Sequence, residues 1–403
     1  TTCMGLFLVL FGLSSAVVKE RLYLSESILT TTIGTIIGPC VLGLLVPQSW
    51  PELNTILLEV SRLIIILQIM AAIVCLPAKL HWKALLILLG PVMIGGWVIT
   101  AALVHYILGL SWPISLAIGA ALSPTDPILA NSIVKGKFAD KHVPRHVRNL
   151  ISAESSANDA TGALFVQFAL LLILHPSKPA KIATDFVLWI TLYQNVLGAV
   201  YGAFVGYLAR HALKYAEKND MIDMENFLAF SLTLSIFVDG SSVLLYFNDF
   251  VSVVFAAIAF GWDGAFYEQS KHSPFQEILD NLSNAWFFVF NGTLIPWTSI
   301  LTPSSAALPQ FWQHLLCSLA ILAFRRIPIT ALCYPLMPSL TTVSEALFVG
   351  HFGPMAGGAV FYMAQMRGQL GPDLYPELEP TIQFVIVSSI VVHGVTVPLF
   401  KLG

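Results

Sequence analysis

The sequence predicts an all-α polytopic membrane protein of about 13 transmembrane helices, built as two inverted-topology repeats of six, with helices five and twelve broken. Three observations lead there. Of 403 residues, 56% are hydrophobic and 11% are charged, where a soluble domain carries roughly a quarter charged. The mean hydropathy is +0.78. Apolar runs recur at the length of a membrane crossing, and two of them, at matching places in the two halves, are interrupted by proline and glycine.

A spanning helix needs about 20 mostly apolar residues. Such runs occupy 4–18, 27–46, 56–78, 84–109, 113–134, 149–174, 186–212, 224–246, 248–262, 277–300, 309–334, 341–366 and 380–400. They are continuous rather than alternating over about 10 residues, which argues against a transmembrane barrel. The net charge of −3 offers no basic field for nucleic acid. The five cysteines (Cys3, Cys40, Cys75, Cys317, Cys333) are odd in number and lack metal-ligand spacing, so neither a disulfide framework nor a zinc site is expected. The sequence opens Thr-Thr rather than with Met. A longer parent chain is therefore expected, with any leader, cytoplasmic tail and tail-binding partner lying outside these residues.

Orientation follows from the basic residues. With the N-terminus outside, the cytoplasmic loops and C-terminus hold Lys19, Arg21, Lys79, Lys83, Lys135, Lys137, Lys141, Arg145, Arg148, Arg210, Lys214, Lys218, Lys271 and Lys401. The external loops hold only Lys178, Lys181 and Arg367, while Arg62, Arg325 and Arg326 fall within spans. Fourteen against three satisfies the positive-inside rule.

Span five reads L-S-P-T-D-P-I-L, with Pro124 and Pro127 on either side of Asp126. Two prolines remove two backbone donors in mid-helix. Such a break survives in a bilayer only where protein or a water-lined cavity surrounds it. Span twelve reads G-H-F-G-P-M-A-G-G and breaks at Gly353 and Pro354. A single break reads equally well as a packing kink. Two at corresponding positions point to a transporter with a midplane site.

Ionisable side chains inside a bilayer are costly and are functional candidates by default. Span six opens N-L-I-S-A-E-S-S-A-N-D. Glu154 and Asn158 share one helix face, and Ser155 and Asp159 the adjacent one. Asp126 arrives from the broken helix just before. Carboxylate, amide, hydroxyl and freed carbonyl oxygens suit a hard cation, and no His or Cys is interleaved to suit a transition metal. A buried carboxylate can hold either a proton or a metal cation, which is the chemistry an exchanger requires. Glu154 needs a positive partner, and Arg325 or Arg326 in span eleven can supply it; the alternative is that these arginines snorkel to the membrane surface. Asp239 and Asp249 read as a solvated turn, Glu59 and Arg62 as an interfacial pair, and His351 and His393 as satisfied buried histidines.

With these residues the chain resembles the monovalent cation/proton antiporter superfamily: T-D-P in one broken helix, E-S-S-A-N-D in the next, a late intramembrane arginine, and G-P in a second broken helix. It is similar to the branch with Asn-Asp in place of Asp-Asp. The stretches T-D-P-I-L-A-N-S-I-V-K-G-K-F, R-H-V-R-N-L-I-S-A-E-S and F-G-W-D-G resemble more narrowly the fungal plasma-membrane Na⁺/H⁺ antiporters. The resemblance covers essentially the whole chain. It implies a transporter rather than an enzyme, with no cofactor beyond the transported ions: H⁺ against Na⁺, with Li⁺ and K⁺ as further candidates. It implies a homodimer in the lipid bilayer of the plasma membrane, with the C-terminus cytoplasmic. Each protomer would divide into a dimerisation domain (1–82 and 222–308), an elevator-like core (83–175 and 309–403) and a linker helix (176–221). Asp159 would carry the ion and the proton. Thr125, Asp126, Ser155 and Asn158 would line or support the site, with Asp159, Ser155 and Thr125 as cation ligands. Glu154 would pair with Arg325 or Arg326. Met355 follows Pro354 where relatives have Gly-Pro-Arg-Gly, so that arginine's role does not carry over.

Other functions fit less well. An intramembrane aspartyl protease would show Tyr-Asp and Gly-x-Gly-Asp motifs, and neither occurs. A sodium-coupled transporter of an organic anion would favour positive helix N-termini over an acidic site. A channel would not need two broken helices around one carboxylate.

Overall fold

The computed structural model describes residues 2–17, 25–74, 78–127, 129–130, 143–270, 273, 275–305, 308–371 and 375–402. Among them there is no β-strand. The helices used below are α1 (Thr2–Val17), α2 (Glu26–Ile37), α3 (Leu53–Val74), α4 (Trp82–Leu108), α5 (Trp112–Ala121), α6 (Arg145–Leu174), α7 (Pro179–Lys218), α8 (Met224–Leu244), α9 (Asp249–Phe260) and α10 (Phe275–Leu294). There follow α11 (Phe311–Phe324), α12 (Ile327–Cys333), α13 (Val343–His351), α14 (Gly357–Leu370) and α15 (Leu378–Leu402).

Seven segments of the described residues are long and apolar enough to cross a membrane, the run Phe311–Leu336 counted as one, and α5 and α9 are shorter apolar helices. This is a multi-pass membrane protein. Among the described residues, some of the 13 expected runs are not full-length helices, for reasons written in the chain. The expected span 27–46 is helical only to Ile37. Gly38-Pro39 follows, and proline cannot donate to continue the ladder. Span eleven bends at Arg325 and Arg326, because Pro328 withdraws the N–H that would serve the carbonyl of Phe324. The basic run Lys135, Lys137 and Lys141 lies outside the described residues.

Helix α3 runs through the middle of the bundle. Ile65, Ile66, Ile69, Met70 and Ile73 are buried along one face, at the spacing a helix repeats. They join Phe250, Val253 and Phe260 of α9 and Phe361 of α14 in one apolar core. Leu63, Tyr106, Phe204 and Leu244 are exposed. On a membrane protein such residues meet lipid rather than water. Helices α2 and α10 approach closely at Gly34 and Gly292. A Cβ on either would overlap a backbone carbonyl of the other helix.

Asp249 is not part of a merely solvated turn. Arg62 Nε of α3 lies 3.1 Å from Asp249 Oδ2, while Arg62 Nη1 holds Glu59 at 2.9 Å. Asn248 caps α9 by accepting from Val251 N–H at 3.1 Å, which fixes Asp249 at the helix start, facing α3. A second charged cluster ties α7 to the turn after α9. There Asp263 accepts from Arg210 Nε at 3.0 Å and pairs with Lys214. Burial alone would raise the Asp263 carboxyl, but the hydrogen bonds from Lys214, the Ala265 N–H and Arg210 outweigh it and hold the pKa at about 2.

Candidate functional site

The two breaks meet inside the bundle. α5 stops at Ala121, and its chain passes through Ser123, Pro124 and Thr125 to a new helical turn starting at Pro127. Asp126 stands at the N-cap of that turn, and Pro127 at its first position, where a missing N–H costs nothing. Asp126 Oδ1 accepts from Leu129 N–H at 2.9 Å. Its other oxygen reaches the second break, where Oδ2 accepts from Gly357 N–H at 2.7 Å. Asp126 therefore caps two half-helices, its own and α14. The Asp126 N–H donates to Pro354 O at 2.7 Å, so the crossing is closed in both directions. Gly353 and Pro354 form the turn between α13 and α14, with His351, Phe352 and Gly353 joined by a Gly353 N–H to His351 O bond of 2.9 Å.

The breaks also free carbonyls, and Arg325 collects them. Its Nη1 donates to Leu122 O and, at 3.0 Å, to Ser123 O; its Nη2 donates to Gly353 O. A guanidinium thus sits on the C-terminal ends of both first half-helices, where the helix dipole is negative. Arg326, pointed the other way by the bend, pairs with Glu154. Nη1 lies 2.8 Å from Oε1 and Nη2 3.2 Å from Oε2, a two-pronged bridge. Neither arginine snorkels: both are buried. The partner of Glu154, left open between two arginines by the sequence, is Arg326.

Helix α6 presents the remaining side chains. Asn158 Nδ2 donates to Thr125 Oγ1 at 2.5 Å and to Glu154 Oε1 at 3.1 Å, which leaves its carbonyl oxygen free of protein donors. Ser155 is buried and its hydroxyl turns back to Ser152 O at 3.3 Å. Asp159 is 1% exposed, and neither of its carboxylate oxygens has a hydrogen-bond partner. Space for it comes from α14: a Cβ on Gly358 would overlap Asp159 Oδ1. Tyr362, one turn further along α14, donates its hydroxyl to the Asp159 backbone carbonyl. The five acidic and basic groups at the crossing are thereby distinguished. Glu154 is neutralised by Arg326, Arg325 serves carbonyls, Asp126 serves amides, and Asp159 alone is uncommitted. Pro124 packs on the other side, where it meets Gly162 and Gly358.

Residues 5–401 match the family model described as sodium/hydrogen exchanger, transmembrane. The chain belongs to the sodium/hydrogen exchanger family. A Na⁺/H⁺ antiporter 2 of Zygosaccharomyces rouxii is 37% identical over 100% of this chain and 52% of its own length. The Na⁺/H⁺ antiporter of Saccharomyces cerevisiae is 37% identical over 100% of this chain and 43% of its own. The chain thus spans about half the length of these relatives. The sodium proton antiporter MjNhaP1 of Methanocaldococcus jannaschii at pH 8 has the same fold, with a TM-score of 0.73 over 99% of this chain and 95% of that one at 19% identity. Within an exchanger-family fold, the residues that sequence reasoning missed are those acting through backbone groups. Tyr362 and Ser389 carried no signal of their own, Gly357 and Gly358 showed only as small residues of the second break, and His393 read only as a satisfied buried histidine.

Proposed function

We propose that this chain exchanges Na⁺ for H⁺, with Li⁺ and K⁺ as further candidate cations, and that Asp159 is the carrier. One observation supports this above the others: a fully buried carboxylate with no protein partner, at the crossing of two broken helices. A proton neutralises it in one half of the cycle. In the other half a cation replaces the proton, held by Asp159 and the neighbouring oxygens of Asn158, Thr125 and Ser155. Carboxylate, amide and hydroxyl oxygens are the donors an alkali cation accepts. Glu154 and Arg326 carry no ion; they lock α6 to the α11–α12 bend. With a single uncommitted carboxylate the exchange is one-for-one and electroneutral. The acidic site disfavours an organic anion as cargo.

The coarser setting extends this reading. The protein acts as a homodimer in the plasma membrane, N-terminus outside and C-terminus cytoplasmic. Residues 83–175 and 309–403 move as an elevator-like core against a dimerisation domain of 1–82 and 222–308, joined by 176–221.

The test is reconstitution in sealed vesicles with an entrapped pH dye. An imposed Na⁺ gradient should drive proton movement in the wild type and none in Asp159→Asn, with both proteins folded. An amide can neither carry the proton nor balance the cation. Wild-type exchange by Asp159→Asn would falsify the assignment of the carrier. A steady current at zero proton gradient would overturn one-for-one exchange, since a net charge moved is worth about 2.3 kcal/mol per 100 mV.

A further inference from the structure

The second break is held from behind by α15. Ser389 and His393 lie one turn apart on that helix, and both are buried. The Met355 N–H donates to Ser389 Oγ at 2.9 Å. His393 Nδ1 lies 3.2 Å from the same hydroxyl oxygen and 2.8 Å from the Ser389 carbonyl oxygen. On the far side of the ring, Nε2 lies 2.9 Å from His351 O, the last carbonyl of α13. A neutral ring serves one carbonyl at a time: with the proton on Nε2 it donates to His351 O and Nδ1 receives the Ser389 hydroxyl proton, and with the proton on Nδ1 it donates to the Ser389 carbonyl oxygen. One polar pair thus ties together the end of α13 and the middle of the break.

The peptide unit it grips is the one that seats Asp126. Pro354 C=O and Met355 N–H belong to a single planar peptide. Its oxygen accepts from Asp126 N–H at 2.7 Å, and its N–H is bound by Ser389. An unbroken series of hydrogen bonds therefore runs from Ser389 through the Pro354–Met355 peptide to Asp126, and with the proton on Nε2 it extends back through His393 to His351. From Asp126 it continues to the N-terminus of α14, next to Gly358 and Asp159. Buried series of this kind are stiff, because each bond polarises the next and an unmade one is costly.

We propose that Ser389 and His393 are positioning residues for the transport site: without touching the ion, they hold the Pro354–Met355 peptide and, through Asp126, the register of α14 against Asp159. The proposal rests on the exchange reading above, and concerns which residues set the geometry of that site.

The experiment measures the apparent KM for Na⁺ and for Li⁺, and the maximal rate per folded protein, in reconstituted vesicles. Ser389→Ala should raise the Na⁺ KM by about fivefold to tenfold, the value of roughly one hydrogen bond as a binding ratio, and should shift the Na⁺:Li⁺ preference. Ser389→Thr, which keeps the hydroxyl, should restore both. Ser388→Ala is the control, because that hydroxyl bonds only its own helix, to Phe384 O at 2.8 Å, and it should leave both constants unchanged. His393→Gln keeps a donor near the position of Nε2 but removes the ring nitrogen that Ser389 faces. It should move KM in the same direction by less, and it reads the link if Ser389→Ala does not fold. Folded variants with unaltered KM and ion preference overturn the proposal, as does a lower maximal rate with both constants fixed. Absence of exchange in the wild type would instead overturn the exchange reading itself.

Discussion

Asp126 of the first broken helix accepts the backbone N–H of Gly357, the first residue of α14, at 2.7 Å. One side chain therefore completes two helices that the sequence separates by 231 positions. A helix N-terminus leaves several amides without partners, and in a membrane no water is at hand to take them. Replacing an N-cap costs about 0.5–2 kcal/mol in ordinary proteins. Here two caps go at once, so Asp126→Ala should cost about 2 kcal/mol or more. Asp126→Asn keeps one acceptor oxygen and should fall between. Thermal unfolding in detergent checks the order, and an alanine variant as stable as wild type would remove Asp126 from this role.

The Glu154–Arg326 bridge gives a second expectation. Removing one partner of a buried pair typically costs about 3–5 kcal/mol. Glu154→Gln should destabilise by that order, and Arg326→Gln should cost much less when made in the Glu154→Gln background. A double-mutant cycle with Arg325 in place of Arg326 should show clearly weaker coupling, since the Arg325 donors go to carbonyls. Equal coupling in the two cycles would contradict the pairing.

Arg325 itself is a third case. Its fork serves Leu122, Ser123 and Gly353 at once. Lysine has the charge but not the planar fork, and cannot reach the carbonyls of both breaks with the same geometry. Arg325→Lys should fold with reduced exchange, and Arg325→Gln should be less stable than Arg325→Lys. If the two substitutions are equally harmless, the carbonyls have other donors.

How much of this was written in the chain can be judged residue by residue. Both breaks were legible, because Pro124, Pro127, Gly353 and Pro354 act through backbone rules that need no tertiary context. Asp-Pro even spells an N-cap followed by a first helical residue. The clustering of Asn158, Asp159 and Glu154 followed from helical spacing. The division of labour did not follow. Arg325 and Arg326 are adjacent, and only the folded structure shows that one meets carbonyls and the other Glu154. Asp249 looked like a turn residue because its partner, Arg62, is 187 positions away in a helix that folding brings alongside. Capping of α14 from another helix, and the grip of Ser389 and His393 on a peptide, are likewise contacts between distant segments. Local periodicity carries no trace of them.

Gly358 gives a fourth expectation. Its missing side chain makes the space beside Asp159 Oδ1, where a methyl group would overlap the oxygen. Alanine is a better helix former than glycine, so Gly358→Ala need not unfold α14. It should instead displace the carboxylate and abolish or strongly reduce exchange in a folded protein. Wild-type KM and rate in Gly358→Ala would show that Asp159 does not work in this position.

The last expectation concerns pH. If a proton and a cation compete for Asp159, the carboxyl must lose its proton before it can hold the ion. Apparent KM should then rise by about tenfold per pH unit once pH falls below the carrier's pKa, while saturating Na⁺ restores the maximal rate. A separate sensor would change the maximal rate and leave KM flat. The salt-bridge cluster on the turn after α9 is a poor sensor on its own numbers. Asp263 is held at about 2, below the free-aspartate value of about 3.9. With a depressed folded-state pKa, its contribution to stability is complete above the free value and is lost only as pH falls through about 2. Between pH 5 and 8 it stays ionised, so its bonds to Arg210 and Lys214 do not change. Asp263→Asn should therefore alter stability without moving the pH at which KM turns upward, whereas substitutions at Asp159 remove the turn altogether. KM and maximal rate for wild type and Asp263→Asn, taken at equal pH on both sides of the membrane across that range, separate the two behaviours. A KM independent of pH would rule out competition at Asp159.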